Sequence, residues 1–115
     1  MDWTAFAAEW EAGWNSHDLD RILSHYGEGI VFRSLKAEAL VGQGELQGKA
    51  ALRAYWAQAL ARQPELRFAV EQVFGGHEMC VIVYRNHRDV MAAETLWFGA
   101  DGLVERAAAC HMPAA

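Results

Sequence analysis

The sequence predicts a single α+β domain over residues 1–115, with three N-terminal helices packed against a mainly antiparallel sheet. Three observations carry that reading. The apolar spacing changes from period 3.6 to period 2 after Pro64. Beyond that point, Gly and Asx clusters recur at the intervals of hairpin turns. A chain of 115 residues, 53% of them hydrophobic, supplies one core and leaves no room for a second.

The first helix runs from Trp3 to Trp14. Its large apolar residues, Trp3, Phe6, Trp10 and Trp14, form one stripe, with Asp2 as N-cap and Gly13 and Asn15-Ser16 at the end. A short second helix starts at Asp18, with Leu19, Ile22, Leu23 and Tyr26 at i, i+3, i+4 and i+7, and His17 caps the turn between the two. Gly27 and Gly29 break the helical period, so Ile30-Val31-Phe32 reads as the first strand. Glycines 42, 44 and 48 make residues 35–47 a turn-rich stretch around a short strand near Ala39-Leu40-Val41. The third helix opens at Gly48-Lys49, carries Leu52, Tyr55, Trp56, Ala59 and Leu60 on one face, and stops at Pro64.

Four hairpin-linked strands follow. Leu66, Phe68 and Val70 alternate with Arg67, Ala69 and Glu71, the mark of a half-buried strand. Gly75-Gly76 is a turn, and Met79 to Tyr84 is continuously apolar, as a strand covered on both faces would be. Asn86-His87-Arg88-Asp89 turns the chain into a strand from Val90 to Phe98. Asp101-Gly102 then turns it into a last strand from Leu103 to Met112.

Composition excludes several function classes. The net charge is −5 and the ten basic residues are scattered, so the electrostatic footprint of a nucleic-acid binder is missing. No apolar run approaches the roughly 20 residues that span a bilayer. Met1-Asp2-Trp3-Thr4 has neither the charge nor the apolar run of a secretory leader, so a cytoplasmic location is expected. Cys80 and Cys110 lie in apolar strand-like runs and read as buried, reduced thiols. No H-x-x-x-H or C-x-x-C spacing occurs, so no metal and no cofactor is expected. Gly42 to Lys49 resembles a phosphate loop only superficially: Gln43 stands at the first Gly, and Ala50 replaces the magnesium-binding Ser/Thr.

The run Trp14-Asn15-Ser16-His17-Asp18-Leu19-Asp20, then Tyr26 and the strand Ile30-Val31-Phe32-Arg33-Ser34, resembles nuclear transport factor 2-like and SnoaL-like proteins. Gly48-Lys49-Ala50-Ala51-Leu52 and Phe98-Gly99-Ala100-Asp101-Gly102-Leu103-Val104 extend the likeness over nearly the whole chain. The resemblance implies a cone-like roll, a strongly curved sheet wrapped around the helices with a pocket at one end. It also implies a homodimer through the sheet's outer face, to which Trp97 is expected to contribute because its parity opposes that of Glu94. The superfold hosts isomerases, cyclases, dehydratases, hydrolases and non-catalytic binding modules, so fold alone assigns no reaction.

Ketosteroid isomerase is the worked chemistry on this fold, a carboxylate base beside a neutral-acid donor. By resemblance its base falls on Ser34, which has no carboxylate, and its phenol donor falls near Trp10. Only its buried acid keeps a counterpart, Glu94, so that reaction is not expected here. The resemblance places Glu94 on the pocket side of its strand, where desolvation should raise its pKa and suit it to acid/base work or hydrogen-bond donation. A structural role is the other reading, with Glu94 hydrogen-bonded to a helix Trp or Tyr.

His111 is the second candidate, a pocket-lining residue or a solvated strand-end histidine. With Asp101-Gly102 as the loop, Glu94 opposes Ala109 and His111 is a diagonal neighbour roughly 7–8 Å away. With Gly99 to Gly102 as the loop, Glu94 opposes Ala107 and His111 lies about 13 Å along the strand. Trp14, Tyr26, Phe32, Ser34 and Trp56 are the candidate ligand-binding residues, mostly as aromatic walls. Arg33 and Arg85 read as solvated strand-end charges, and His25, His77 and His87 as surface residues. The expected function is binding of a small, largely apolar molecule, with Glu94 serving a lyase, isomerase or cyclase reaction. The alternative is a non-catalytic dimeric binding or interaction module.

Overall fold

The computed structural model describes residues 1–113. Helix α1 (Trp3–Ser16) is capped by Asp2, whose carboxylate accepts from the Ala5 N–H at 3.0 Å. It ends at His17, in the left-handed conformation with φ 60°, whose N–H bonds the Trp14 carbonyl. Asp18 caps α2 (Leu19–Leu23), accepting from the N–H groups of Asp20 and Arg21. That helix is shorter than the apolar spacing suggests. Tyr26 opens strand β1 (Tyr26–Ser34) instead of closing the helix.

Residues 35–41 form helix α3 (Leu35–Val41), not the short strand expected near Ala39-Leu40-Val41. The Ser34 hydroxyl accepts from the Lys36 and Ala37 N–H groups, and Gly42, at φ 83°, closes the C-terminus. The glycines that suggested a turn-rich stretch bound a helix of good helix formers. A three-residue strand β2 (Glu45–Gln47) and helix α4 (Lys49–Arg62) follow. The order is therefore not three helices and then a sheet, because β1 and β2 precede α4.

Strands β3 (Ala69–Gly76), β4 (Met79–Arg85), β5 (Met91–Phe98) and β6 (Val104–His111) make the expected meander. The six strands lie in the order β2-β1-β6-β5-β4-β3. All neighbours are antiparallel except β1 and β6, which pair in parallel and bring the first strand beside the last. The sheet is thus mainly, not wholly, antiparallel, and the helices pack on its concave side in a cone.

Three local expectations change. Gly75-Gly76 is strand, and the turn is His77-Glu78, with Glu78 at φ 53°. A Cβ on Gly75 would sit 2.1 Å from Cδ1 of Trp3, so this glycine serves a close approach of helix to sheet. Residues 66–68 alternate like a strand but join no ladder. Asn15 of α1 donates to the Phe68 carbonyl at 2.9 Å and accepts its N–H at 2.7 Å. Glu11 takes the Val70 N–H at 2.6 Å, and the His17 ring meets the Leu66 carbonyl at 2.7 Å. Helix side chains satisfy this backbone where a neighbouring strand would have.

The third change concerns surface and burial. Cys80 is buried as expected, whereas Cys110 faces outward and is exposed. His77 is exposed, but His25 and His87 are partly buried, against Phe6 and near Glu65 respectively. Arg33 pairs with Glu45, and Arg85 with Glu71 and Asp89, as solvated strand-end charges do. Among the described residues, no helix is long and apolar enough to cross a membrane.

Candidate functional site

Side chains along β5 alternate without interruption. Ala92, Glu94, Leu96 and Phe98 are buried on the concave side, and Met91, Ala93, Thr95 and Trp97 are partly covered on the convex side. Glu94 opposes Ala109 of β6, and His111 opposes Ala92. The register is the one that makes Glu94 and His111 diagonal neighbours on one face, roughly 7–8 Å apart. It arises in an unexpected way. The loop runs from Gly99 to Leu103, and a bulge at Glu105 restores the pairing, since Phe98 faces Val104 while Trp97 faces Arg106.

These pairings order the cone by depth. His111 and Ala92 lie at the open end, and Glu94 and Ala109 are one step deeper, about 7 Å by strand rise. Ser34, at the end of β1, pairs with Ala109 and so lies level with Glu94. A cavity of about 60 Å³ opens there, lined by Trp14, Phe32, Ser34, Trp56, Glu94 and His111. Tyr26 is not among its lining residues. It starts β1 beside Val104 near the closed end, is fully buried, and packs edge-on against Trp56 at 5.2 Å.

The sequence did not single out several further lining residues: Lys36, Tyr55, Gln63, Phe68, Tyr84 and Asn86. Tyr55 and Phe68 were visible as apolar stripe positions, and Tyr84 as a position facing Ala92 once β4 and β5 are paired. Lys36 carried no signal, because its segment read as turn-rich. The walls are stiff: Trp14 meets Trp56 at 4.8 Å, Phe32 meets Trp56 at 5.6 Å, and Phe68 meets Tyr84 at 4.6 Å. Such ring pairs contribute about 0.5–1.5 kcal/mol each beyond area burial.

Electrostatics separate the two titratable candidates. Burial pushes the Glu94 carboxyl up to about 8, and the hydrogen bond of its neighbour Tyr84 offsets this only in part. Burial, together with the charge of Lys36, pulls the His111 imidazole down to about 4. Near pH 7, Glu94 is therefore a neutral acid and His111 a neutral base. Tyr84, Tyr26 and Tyr55 are held above the ordinary phenol range, chiefly by burial.

Ser34 is not free to act as a base, because its hydroxyl caps α3. The indole N–H groups of Trp10 and Trp14 and the Tyr26 hydroxyl are buried without a hydrogen-bond partner among the described residues. Trp10 approaches Tyr26 without reaching bonding geometry, so the interior retains donor capacity. Among the described residues, no three His, Cys, Asp or Glu side chains converge as metal ligands would.

Comparison with known proteins agrees with this geometry. The profile of the SnoaL-like domain matches residues 7–111. A SnoaL-like protein of unknown function from Burkholderia thailandensis is 37% identical and superposes with a TM-score of 0.91, over 96% of this chain and 95% of that one. A proposed isomerase of the SnoaL-like family from Agrobacterium tumefaciens is 13% identical, with a TM-score of 0.76 over 96% and 97% of the two chains. AclR, a proposed hydroxylase from Streptomyces galilaeus, is 20% identical, with a TM-score of 0.75 over 95% and 87%. No curated protein matches the sequence. The cone fold, the matched profile and the 37% identical structure together make this chain a member of the SnoaL-like family.

Proposed function

We propose that the protein binds a small, largely apolar molecule in the cone cavity and acts on it by acid/base chemistry, as a lyase, isomerase or cyclase. One observation carries the reading: the Glu94 carboxyl is desolvated at the cavity wall and takes part in no ion pair among the described residues. A neutral carboxylic acid can donate to a carbonyl or departing oxygen, whereas an ionised one buried there would be strongly unfavourable. His111, neutral and about 7–8 Å away, is placed to take a proton from another point of the same ligand. Two groups with pKa values pushed apart in opposite directions are the usual acid and base of such a site. Neighbours proposed to be an isomerase and a hydroxylase place reactions on this fold, at identities that bear on fold alone.

Glu94→Gln tests the proposal, because the amide keeps the volume and a hydrogen-bonding end but cannot give up a proton. We expect it to melt within a degree or two of the parent and to lose turnover, or small-molecule stabilisation in a thermal-shift screen. A drop of about 1–3 kcal/mol in stability with unchanged ligand response would instead make Glu94 a core residue.

A second reading has its own support. Ligand pockets usually enclose about 300–1,000 Å³, and this cavity of about 60 Å³ is far smaller. A filled cone suits a non-catalytic dimeric module. In either reading two copies pair through the sheet's outer face. What supports this is its half-covered apolar surface, which includes Val81, Val83, Met91, Ala93 and Trp97.

A further inference from the structure

The open end of the cone brings a lysine, a neutral histidine and a turn arginine to one region, and neither the lysine nor the arginine has an ion-pair partner among the described residues. Lys36, from the first turn of α3, and His111, from the end of β6, line the cavity. Arg88 lies in the turn between β4 and β5 that Asn86 opens, and Asn86 lines the cavity; after burial, its charge is a further cause that lowers the Lys36 pKa. Neither Lys36 nor Arg88 takes part in an ion pair among the described residues. The acids nearest in sequence are turned elsewhere, Asp89 toward Arg85 at 3.4 Å and Glu38 toward Gly44. The chain as a whole carries a charge of −5, so two uncompensated cations at the cavity mouth run against its general balance.

Like charges brought together at the rim of an apolar cavity repel and are partly desolvated, a cost that a bound anion relieves. Asn86 and Gln63, also at the rim, add side-chain amides that can donate to the same anion. Deeper in, Trp14, Phe32, Trp56 and Phe68 make the walls apolar. Polarity therefore changes along the cavity, cationic and amide-rich outside and aromatic inside.

We infer that the ligand is a small amphipathic anion, a carboxylate held at the mouth by Lys36 and Arg88 with a short apolar tail in the aromatic cavity. Size follows from volume. A cavity of ~150 Å³ takes benzene, so about 60 Å³ admits a tail of roughly two or three carbons. The inference rests on the reading that the cavity takes a small molecule, and it names the class.

The test compares butyrate with its neutral amide, butyramide, by the change in tryptophan fluorescence and by thermal shift on the intact protein. Trp14 and Trp56 in the wall report occupancy directly. We expect butyrate to bind about tenfold more tightly than the amide, and added salt to weaken that preference. Lys36→Gln should lower the preference several-fold, and Lys36→Gln with Arg88→Gln should abolish it while amide binding stays within about twofold. Both side chains are exposed, so melting curves of the variants should overlay the parent.

Equal or tighter binding of the amide overturns the anion assignment and leaves the small-molecule reading standing. A preference for the carboxylate that survives in the double variant overturns the roles of Lys36 and Arg88. Equal stabilisation by sulfate at matched ionic strength overturns the amphipathic class. No response to either butyrate or butyramide overturns the inference, and the small-molecule reading beneath it falls only if the thermal-shift screen also finds no stabilising molecule.

Discussion

At the scale of single residues, Glu94 and His111 pull stability in opposite directions with pH. The carboxyl titrates near 4.5 when unburied and near about 8 in the fold, so its contribution is full below 4.5 and is lost as pH rises toward 8. The imidazole titrates near 6.5 when unburied and near about 4 in the fold. Its contribution is therefore full above 6.5 and is lost as pH falls toward 4. Between 4.5 and 6.5 the two effects oppose each other, and from 6.5 to 8 Glu94 acts alone. The stability of the protein should fall across pH 6.5–8, by about 2 kcal/mol at most, and its melting temperature should fall with it. Glu94→Gln should flatten that limb while leaving the acid limb in place. A parent whose stability is level from pH 6.5 to 8 would mean that Glu94 is ionised in the fold.

At the scale of elements, α1 does more than cover the sheet. Through Glu11, Asn15 and His17 it holds the backbone of residues 66–70, which includes the cavity residues Leu66 and Phe68. Asn15 makes two bonds to one partly buried residue, and Asn15→Ala would leave both backbone groups of Phe68 unpaired. The expected cost is about 2–4 kcal/mol by chemical denaturation, from two lost bonds of 1–3 kcal/mol that do not fully add. Residues 66–68 should also gain hydrogen-exchange and protease sensitivity. A loss under about 0.5 kcal/mol would mean that water replaces the amide and the segment is not held by α1. The apolar alternation of 66–70 was legible as a strand. That helix side chains would take its hydrogen bonds was not, because alternation reports which side is buried and not what pairs with the backbone. The same distinction explains α3, whose caps, Ser34 and Gly42, are ordinary signals masked by the neighbouring glycines.

At the scale of the whole molecule, the parallel pairing of β1 with β6 closes the concave face around the helices. The convex face is left half covered, with Trp97 stacked under Arg106 at 4.8 Å and flanked by aliphatic side chains of β4 and β5. Apolar area of that kind is stabilised by a partner surface, and a second copy offers a self-complementary one. Light scattering at micromolar concentration should report twice the 12.8 kDa chain mass, and Trp97→Glu should shift the mass toward one chain. A strict monomer in the parent protein rules the assembly out.

The sequence by itself determined the elements whose signals are local. The caps Asp2 and His17, the start of α2 at Asp18, and the α4 stripe ending before Pro64 follow from spacing and side-chain type, and the resemblance turned the Glu94 side of the β5 alternation inward. It also carried the family likeness, spread over motifs that need only order and spacing. Tertiary structure decided whatever depends on contact between distant segments. It joined β1 to β6, set the Glu94–Ala109 register through a bulge at Glu105, moved Tyr26 away from the cavity, and brought Lys36 to its lining. The physical reason is range. Backbone preference and amphipathic period act within a few residues, whereas strand pairing, desolvation and charge repulsion depend on neighbours that only the closed sheet brings together.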